Sequence, residues 1–252
     1  MEILVFGNSG RQAACRECLE KALSEYPACE ITRIIVLPIP TTKDEKTVNG
    51  TDVTLSAAIE SAGRGTLVAG YGIPEECAEK IENTGAVIYD ALYDEALQEE
   101  NAYLTALGAS SSILTSEGRA PRDISLGIVG YGRIGREIAK IWFFLGGVPH
   151  IYSGRGEVVE SLISAGMSAS LYGEGMELSG LDILINTAPA SIIKPDTRGI
   201  SEVGRIIDLA SGDYLYGIPR VEKMPSIPAA MYPESAGKLY ADSIIRHLGG
   251  VK

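Results

Sequence analysis

The chain is short of positive charge: 22 lysines and arginines against 33 aspartates and glutamates leave it at −11. Nucleic acid or an anionic membrane surface would need a basic stripe, so this balance excludes both as partners, although arginines and helix ends can still hold a small anion locally. Long hydrophobic runs are also missing. None reaches the roughly 18 residues of a membrane span. Met1-Glu2 opens directly into a strand without a basic leader, so no secretory signal is expected and the cytoplasm is the expected home. Only two histidines occur. His150 begins a strand and His247 falls in the last turn of a helix, where a cation is favourable. Neither has the placement of a catalytic base, and no Ser/His/Asp or metal-ligand constellation is visible, so no metal is expected and no general acid or base can be named. Of four cysteines, Cys15 and Cys18 form a lone CxxC inside a helical pattern. A zinc site would have to recruit Cys29 and Cys77 from separate elements, so the pair reads as small apolar residues on a buried helix face in a reducing compartment.

What is present is an α/β pattern with one sharp motif. The 252 residues suffice for one large or two modest domains, and 45% apolar with 22% charged residues is the composition of an ordinary soluble globular chain. Leu126–Val129 is an apolar run that empties into Gly130-Tyr131-Gly132-Arg133-Ile134-Gly135, and an amphipathic helix follows at once (Ile134, Ile138, Ile141, Trp142, Leu145). In such a turn the first glycine permits the sharp reversal. The second lets the backbone approach a pyrophosphate, and the third lets helix pack closely on strand. The phosphates would meet the free N–H groups and positive dipole end of the helix. The alternative is a Rossmann-like unit that has lost its ligand and keeps the glycines for packing.

Around this turn β and α segments alternate, which implies mostly parallel sheets with helices on both faces. Strands are expected at Glu2–Phe6, Arg33–Pro38, Thr66–Ala69 and Ala86–Tyr89. The first is followed by the loop Gly7–Gln12 and a helix to about Tyr26. Helices are expected at Thr54–Ala62, at Pro74–Asn83 and from Tyr93 to about Leu114, with a surface loop from Pro38 through Asp52. Turn residues at Ser116–Arg122 mark a boundary. Beyond the glycine turn come a strand at Val148–Tyr152, a helix at Val158–Ala165, a polar segment through Gly175, strands at Asp182–Asn186 and Arg205–Leu209, and a final helix from Ser235 to about Leu248. The expected architecture is therefore two Rossmann-like domains with a cleft between them. Residues 1–115 form a substrate domain with its connecting helix, 120–232 the dinucleotide-binding domain, and 233–252 a helix packing back on the first domain. Open α/β sheets bind ligands at the carboxyl ends of their strands.

NAD-binding units usually place an acid at the end of the second strand to accept from the ribose 2′-hydroxyl. Here the chain reads Tyr152-Ser153-Gly154-Arg155, with no carboxylate until Glu157. Ser153 and Arg155 offer a hydroxyl and a cation suited to a 2′-phosphate, so NADP is favoured over NAD. Thr187, Ala188 and Pro189 after one strand, and Asp208 with Ala210 after the next, lie on the rim where a nicotinamide would sit. Asp208 would either orient the cofactor or cap a turn.

Several segments taken together resemble the dipicolinate synthase family in its NAD(P)-binding A-type chain, which is related in architecture to the D-2-hydroxyacid and alanine dehydrogenases. They are Gly7 with Arg11-Gln12; Val36–Pro40; Asn101-Ala102 with Thr105-Ala106 and Gly108-Ala109; the glycine turn; Asp182–Pro189; Asp208–Ser211; and Pro228 followed by Pro233 and Ala236-Gly237. The resemblance runs over nearly the whole chain. It implies oxidation of a dihydrodipicolinate-type intermediate in bacterial sporulation, with a nicotinamide cofactor and a flavoprotein-like second subunit. It further implies a small carboxylated, ring-forming substrate held by Ser9, Arg11, Pro40, Thr41, Asn101 and Thr105. The chain departs from the family pattern at Ser9, where an acid is expected, at Leu104 and Leu107, at Gly212-Asp213-Tyr214, where an arginine and a glycine pair are expected, and at Pro225–Ala229. These departures cluster in the substrate region, which points to a diverged substrate. A non-catalytic nucleotide-sensing or partner-binding subunit is the competing reading. A D-2-hydroxyacid dehydrogenase is disfavoured by the lack of a placed histidine and of a substrate arginine. A homodimer is the default expectation for such enzymes.

Overall fold

The computed structural model describes residues 1–24, 30–173 and 175–250. Cys29 and the expected helical residues near Tyr26 lie outside them. The chain divides into two units, Met1–Asn101 with Pro228–Lys252, and Ala102–Ile227.

In the first unit four parallel strands, β1 (Glu2–Val5), β2 (Arg33–Val36), β3 (Thr66–Gly70) and β4 (Val87–Asp90), lie side by side in chain order. Alternation along β2 splits its side chains between two cores: Ile34 and Val36 pack with helix α1 (Gly10–Leu23) and the final helix, while Ile35 joins the opposite layer. Helix α2 is a single turn, Leu55–Ala58, rather than the longer helix expected over 54–62. The Thr54 hydroxyl caps it, and Ile59, only 7% exposed, turns into the core and ends it. Helix α3 (Glu75–Asn83) carries two glutamates in its first turn and Lys80 in its last, both favoured by its dipole.

Helix α4 (Glu95–Glu117) carries the division between the units, at Asn101–Ala102, where the sequence suggests a boundary at 115–120. The reason is local: Ala106, Ala109 and Ile113 are fully buried in the core of the second unit.

The second unit is a six-stranded, all-parallel sheet. Its strands are β5 (Leu126–Val129), β6 (His150–Ser153), β7 (Ser168–Leu171), β8 (Ile183–Asn186), β9 (Arg205–Asp208) and β10 (Val221–Lys223), in the spatial order β10-β9-β8-β5-β6-β7. This is the doubly wound order, with the crossover reversing at β5. Central β5 and β8 are buried on every residue, as continuous apolar runs in parallel sheets must be. Strand β7 is an addition to the sequence reading, which leaves Ser168–Leu171 in a polar segment. It is an edge strand, and the His150 ring holds it through Ser168 Oγ at 2.7 Å and Ser170 Oγ at 2.9 Å. Helix α5 (Arg133–Phe144) buries Gly135, Ile138, Ala139 and Trp142, one stripe at helical spacing. Helix α6 (Gly156–Ser164) and the short helix α7 (Ile227–Met231) follow.

The last helix, α8 (Pro233–Gly250), belongs to the first unit and crosses α1 at Gly237, where a Cβ would lie 2.5 Å from the Arg11 carbonyl oxygen. Among the described residues, no helix is long and apolar enough to cross a membrane, and no group of three His, Cys, Asp or Glu could hold a metal ion.

Candidate dinucleotide site

Strand β5 ends at Val129, and Gly130 takes φ +97°, a left-handed conformation that a side chain would strain. The neighbouring strand β8 closes the turn. Thr187 N–H donates to the Val129 carbonyl at 2.8 Å, and the Thr187 hydroxyl lies 3.0 Å from that oxygen and 3.2 Å from the Gly130 carbonyl. A Cβ on Gly130 would sit 2.6 Å from the Thr187 hydroxyl, and one on Gly135 would collide with the Gly130 carbonyl. Both glycines are therefore fixed by sterics. Gly132 is different: a Cβ there would meet nothing within 4 Å. No side chain caps α5 at Gly132, and its first turn carries no acid. The result is an open, uncapped helix start with an approachable backbone, the cradle that a pyrophosphate requires. Tyr131, Arg133 and Ile134 are half-buried around it.

At the end of β6, Ser153 is 3% exposed and its hydroxyl accepts from Arg155 N–H at 3.3 Å. That hydroxyl is engaged by the loop backbone, leaving the exposed Arg155 as the group turned toward solvent. A Cβ on Gly154 would fall within 2.5 Å of the Tyr172 ring. Tyr172 follows β7 and donates its N–H to the Ser153 carbonyl at 3.0 Å, so its ring lies against Gly154. Sequence inspection misses Tyr172, because β7 itself is not legible.

At the ends of β8 and β9, Asn186 Nδ2 donates to Asp208 Oδ1 at 2.9 Å, and Ala210 N–H reaches the same oxygen at 3.2 Å. Asp208 thus caps the turn after β9, while its Oδ2 is buried without a partner among the described residues. Ala188 is buried and Pro189 exposed beside it.

The residues expected to hold substrate are distributed differently. Ser9 and Arg11 stand at the start of α1, where the Ser9 hydroxyl donates to Gln12 Oε1. Pro40 follows a cis Ile39–Pro40 peptide. Thr41 is fully buried, and its hydroxyl accepts from Tyr71 N–H at 2.7 Å, so it pegs its loop to the end of β3. The expected surface loop is to that extent anchored inside, with Val48 also fully buried. Asn101 and Thr105 lie four residues apart on α4, both half-buried, which puts them on one helix face. Neither histidine is available for acid–base work: burial lowers the pKa of both, His150 bridges two serines, and His247 stacks on Tyr89 with centroids 4.6 Å apart.

No protein-family model and no curated protein matches this chain. Solved structures do. Dipicolinate synthase from Bacillus halodurans, in its A-type chain, superposes with a TM-score of 0.78 at 18% identity, covering 98% of this chain and 97% of that one. The corresponding dipicolinate synthase chain from Bacillus subtilis gives 0.75 at 17% identity, covering 100% and 96%. A transhydrogenase from Sinorhizobium meliloti gives 0.63 at 16% identity, covering 98% and 92%. The chain therefore has the fold of these two-unit Rossmann-type proteins over essentially its full length.

Proposed function

We propose that this chain is a nicotinamide-dinucleotide-dependent oxidoreductase with a preference for NADP, acting on a small carboxylated substrate of the dihydrodipicolinate type. The observation that carries this reading is the glycine turn. Gly130 and Gly135 are fixed by contacts within the protein, whereas Gly132 faces open space at an uncapped helix start. Packing alone would not require a bare backbone at that position, but a pyrophosphate would.

When bound, the dinucleotide would supply hydride transfer. The chain's own residues do the rest. The turn Gly130–Gly135 and the first N–H groups of α5 bind the diphosphate. Arg155 pairs with a 2′-phosphate, with no carboxylate at the end of β6 to repel it. Thr187 keeps the turn in shape, and Ala188, Pro189, Asp208 and Ala210 form the rim on the β8–β9 side. Ser9, Arg11, Pro40, Thr41, Asn101 and Thr105 are the candidate substrate residues, with Thr41 acting through the loop it anchors. With no histidine free to move a proton, acceleration would come from positioning, worth several orders of magnitude in well-oriented reactions. The cytoplasm and a flavoprotein-like second subunit complete the proposal.

The same lack of a placed acid–base residue favours a second reading, a nucleotide-sensing subunit without turnover of its own. Formation of NADPH at 340 nm from NADP and freshly prepared dihydrodipicolinate, with and without a flavoprotein partner, separates the two. Turnover that Gly132→Ala removes supports the oxidoreductase. Nucleotide binding with no turnover in either arm favours the sensor.

A further inference from the structure

The first unit buries a cation that has no counter-ion among the described residues. Arg11 is 4% exposed, forms no hydrogen bond or ion pair with any described residue, and leaves its Nε buried and unpartnered. An uncompensated buried charge is costly, and buried guanidinium groups are ordinarily paired with a carboxylate or phosphate. The groups that interact with it electrostatically are Tyr240, Cys15 and Tyr71. Burial raises Tyr240 well above its ordinary value and pushes the Cys15 thiol up to about 12, so neither brings a negative charge at neutral pH. On this edge of the sheet β4 ends in Asp90. It is spent on backbone, accepting from Gly72, Ile73 and Leu92 N–H at 2.8 to 2.9 Å.

The neighbours also locate the guanidinium. Tyr71 directly follows β3, and the Tyr240 hydroxyl donates at 3.0 Å to the carbonyl of Leu37, which directly follows β2. All four strands run parallel, so Arg11 lies at the carboxyl edge of the sheet, where ligands of α/β units bind. It is the second residue of the 14-residue helix α1, whose first turn holds no acid and whose N-cap, Ser9, makes no capping hydrogen bond. A desolvated planar fork and the free N–H groups of a helix start therefore share one place.

We propose that this place is a receptor for a carboxylate: the anion arrives with the ligand, pairs with the Arg11 guanidinium and completes the first unit, whether or not a nucleotide is bound. The ligand class is that of the substrate proposed above, but the inference rests on the first unit alone. A single cation in a desolvated setting fits one carboxylate better than a phosphate dianion: a dicarboxylic acid can keep its second charge in solvent, whereas phosphate brings both charges into the same place.

The test is thermal unfolding of the whole protein without nucleotide, at constant ionic strength, with malonate, pyridine-2,6-dicarboxylate or inorganic phosphate added. The wild-type midpoint should rise by about 5 °C once a carboxylate reaches a hundredfold excess over its dissociation constant. Arg11→Met keeps the length of the side chain and removes the charge, so its ligand-free midpoint should be equal or higher and the carboxylate response should vanish. Arg11→Lys should bind at least tenfold more weakly. A wild type that responds to neither carboxylate, a response kept in Arg11→Met, or a response to phosphate alone overturns the proposal. So does a lowered ligand-free midpoint in both Arg11→Met and Arg11→Gln, which would make the guanidinium a structural group. Titration of NADPH into the same proteins is read separately: carboxylate binding without NADPH binding sinks only the cofactor reading, and the reverse sinks only this one.

Discussion

The two units begin alike and diverge within a few residues. Each opens with a parallel strand, half-buried β1 in the first and fully buried β5 in the second, that leads into a left-handed glycine, Gly7 at φ +95° and Gly130 at φ +97°, and each turns into a long helix that no side chain caps. In the second unit the turn continues with Gly132 and Gly135, and the space before α5 is left to the backbone. In the first, the corresponding stretch brings in Arg11, buried beneath α8. The same strand–glycine–helix geometry thus presents bare peptide N–H groups in one unit and a desolvated guanidinium in the other. Backbone donors suit a diphosphate that must come close, whereas a planar fork suits a carboxylate. On the two proposals above, one local fold carries two recognition chemistries, and the residues just after the first glycine decide which.

The largest effect should come from filling the second turn. Gly135→Val would drive a side chain into the Gly130 carbonyl. It should cost about 3 kcal/mol of stability and abolish nucleotide binding, read by denaturant unfolding and calorimetry. Retained binding would break the equation of turn geometry with function. Next, Arg155→Ala should weaken NADPH about tenfold to a hundredfold, the worth of one charge-assisted contact, while leaving NADH almost unchanged. Equal losses for both nucleotides would remove the basis for an NADP preference. In the first unit, Gly7→Ala forces a left-handed alanine and should cost about 1–2 kcal/mol without touching nucleotide affinity. The smallest effect concerns His150. Burial holds its pKa below the ordinary value. Its contribution is therefore complete above about pH 6.5 and lost as pH falls through the folded-state value. The urea midpoint should drop between pH 7.5 and 5.5, and His150→Gln should remove part of that drop. No change would mean that the Ser168 and Ser170 contacts do not depend on the neutral ring.

Legibility in the sequence followed the range of the interactions involved. The glycine turn, strands β5 and β8 and helix α5 are written locally: an apolar run, three glycines at fixed spacing, then a stripe at helical period. Strand β7 is not, since Ser168-Ala169-Ser170-Leu171 is small and polar, and only its pairing with β6 and the His150 contacts make it a strand. Tyr172 stayed hidden with it. Arg11 reads as a loop cation because the groups that meet it include Tyr71 and Tyr240, from β3's end and the far end of the chain, and no local pattern encodes that meeting. Thr41 likewise looks like a loop residue until Tyr71 N–H takes its hydroxyl. What escaped the sequence is long-range burial.

The most direct test of the central claim uses Trp142, the one tryptophan of the chain, buried on the helix that starts at the turn. NADPH and NADH are titrated separately into the wild type and Gly132→Ala, following quenching of its emission by energy transfer to the dihydronicotinamide. The account predicts saturable quenching in the wild type, tighter for NADPH, and its loss in Gly132→Ala with the unfolding midpoint unchanged. Absence of quenching by either nucleotide in the wild type, or equal binding by Gly132→Ala, would contradict it.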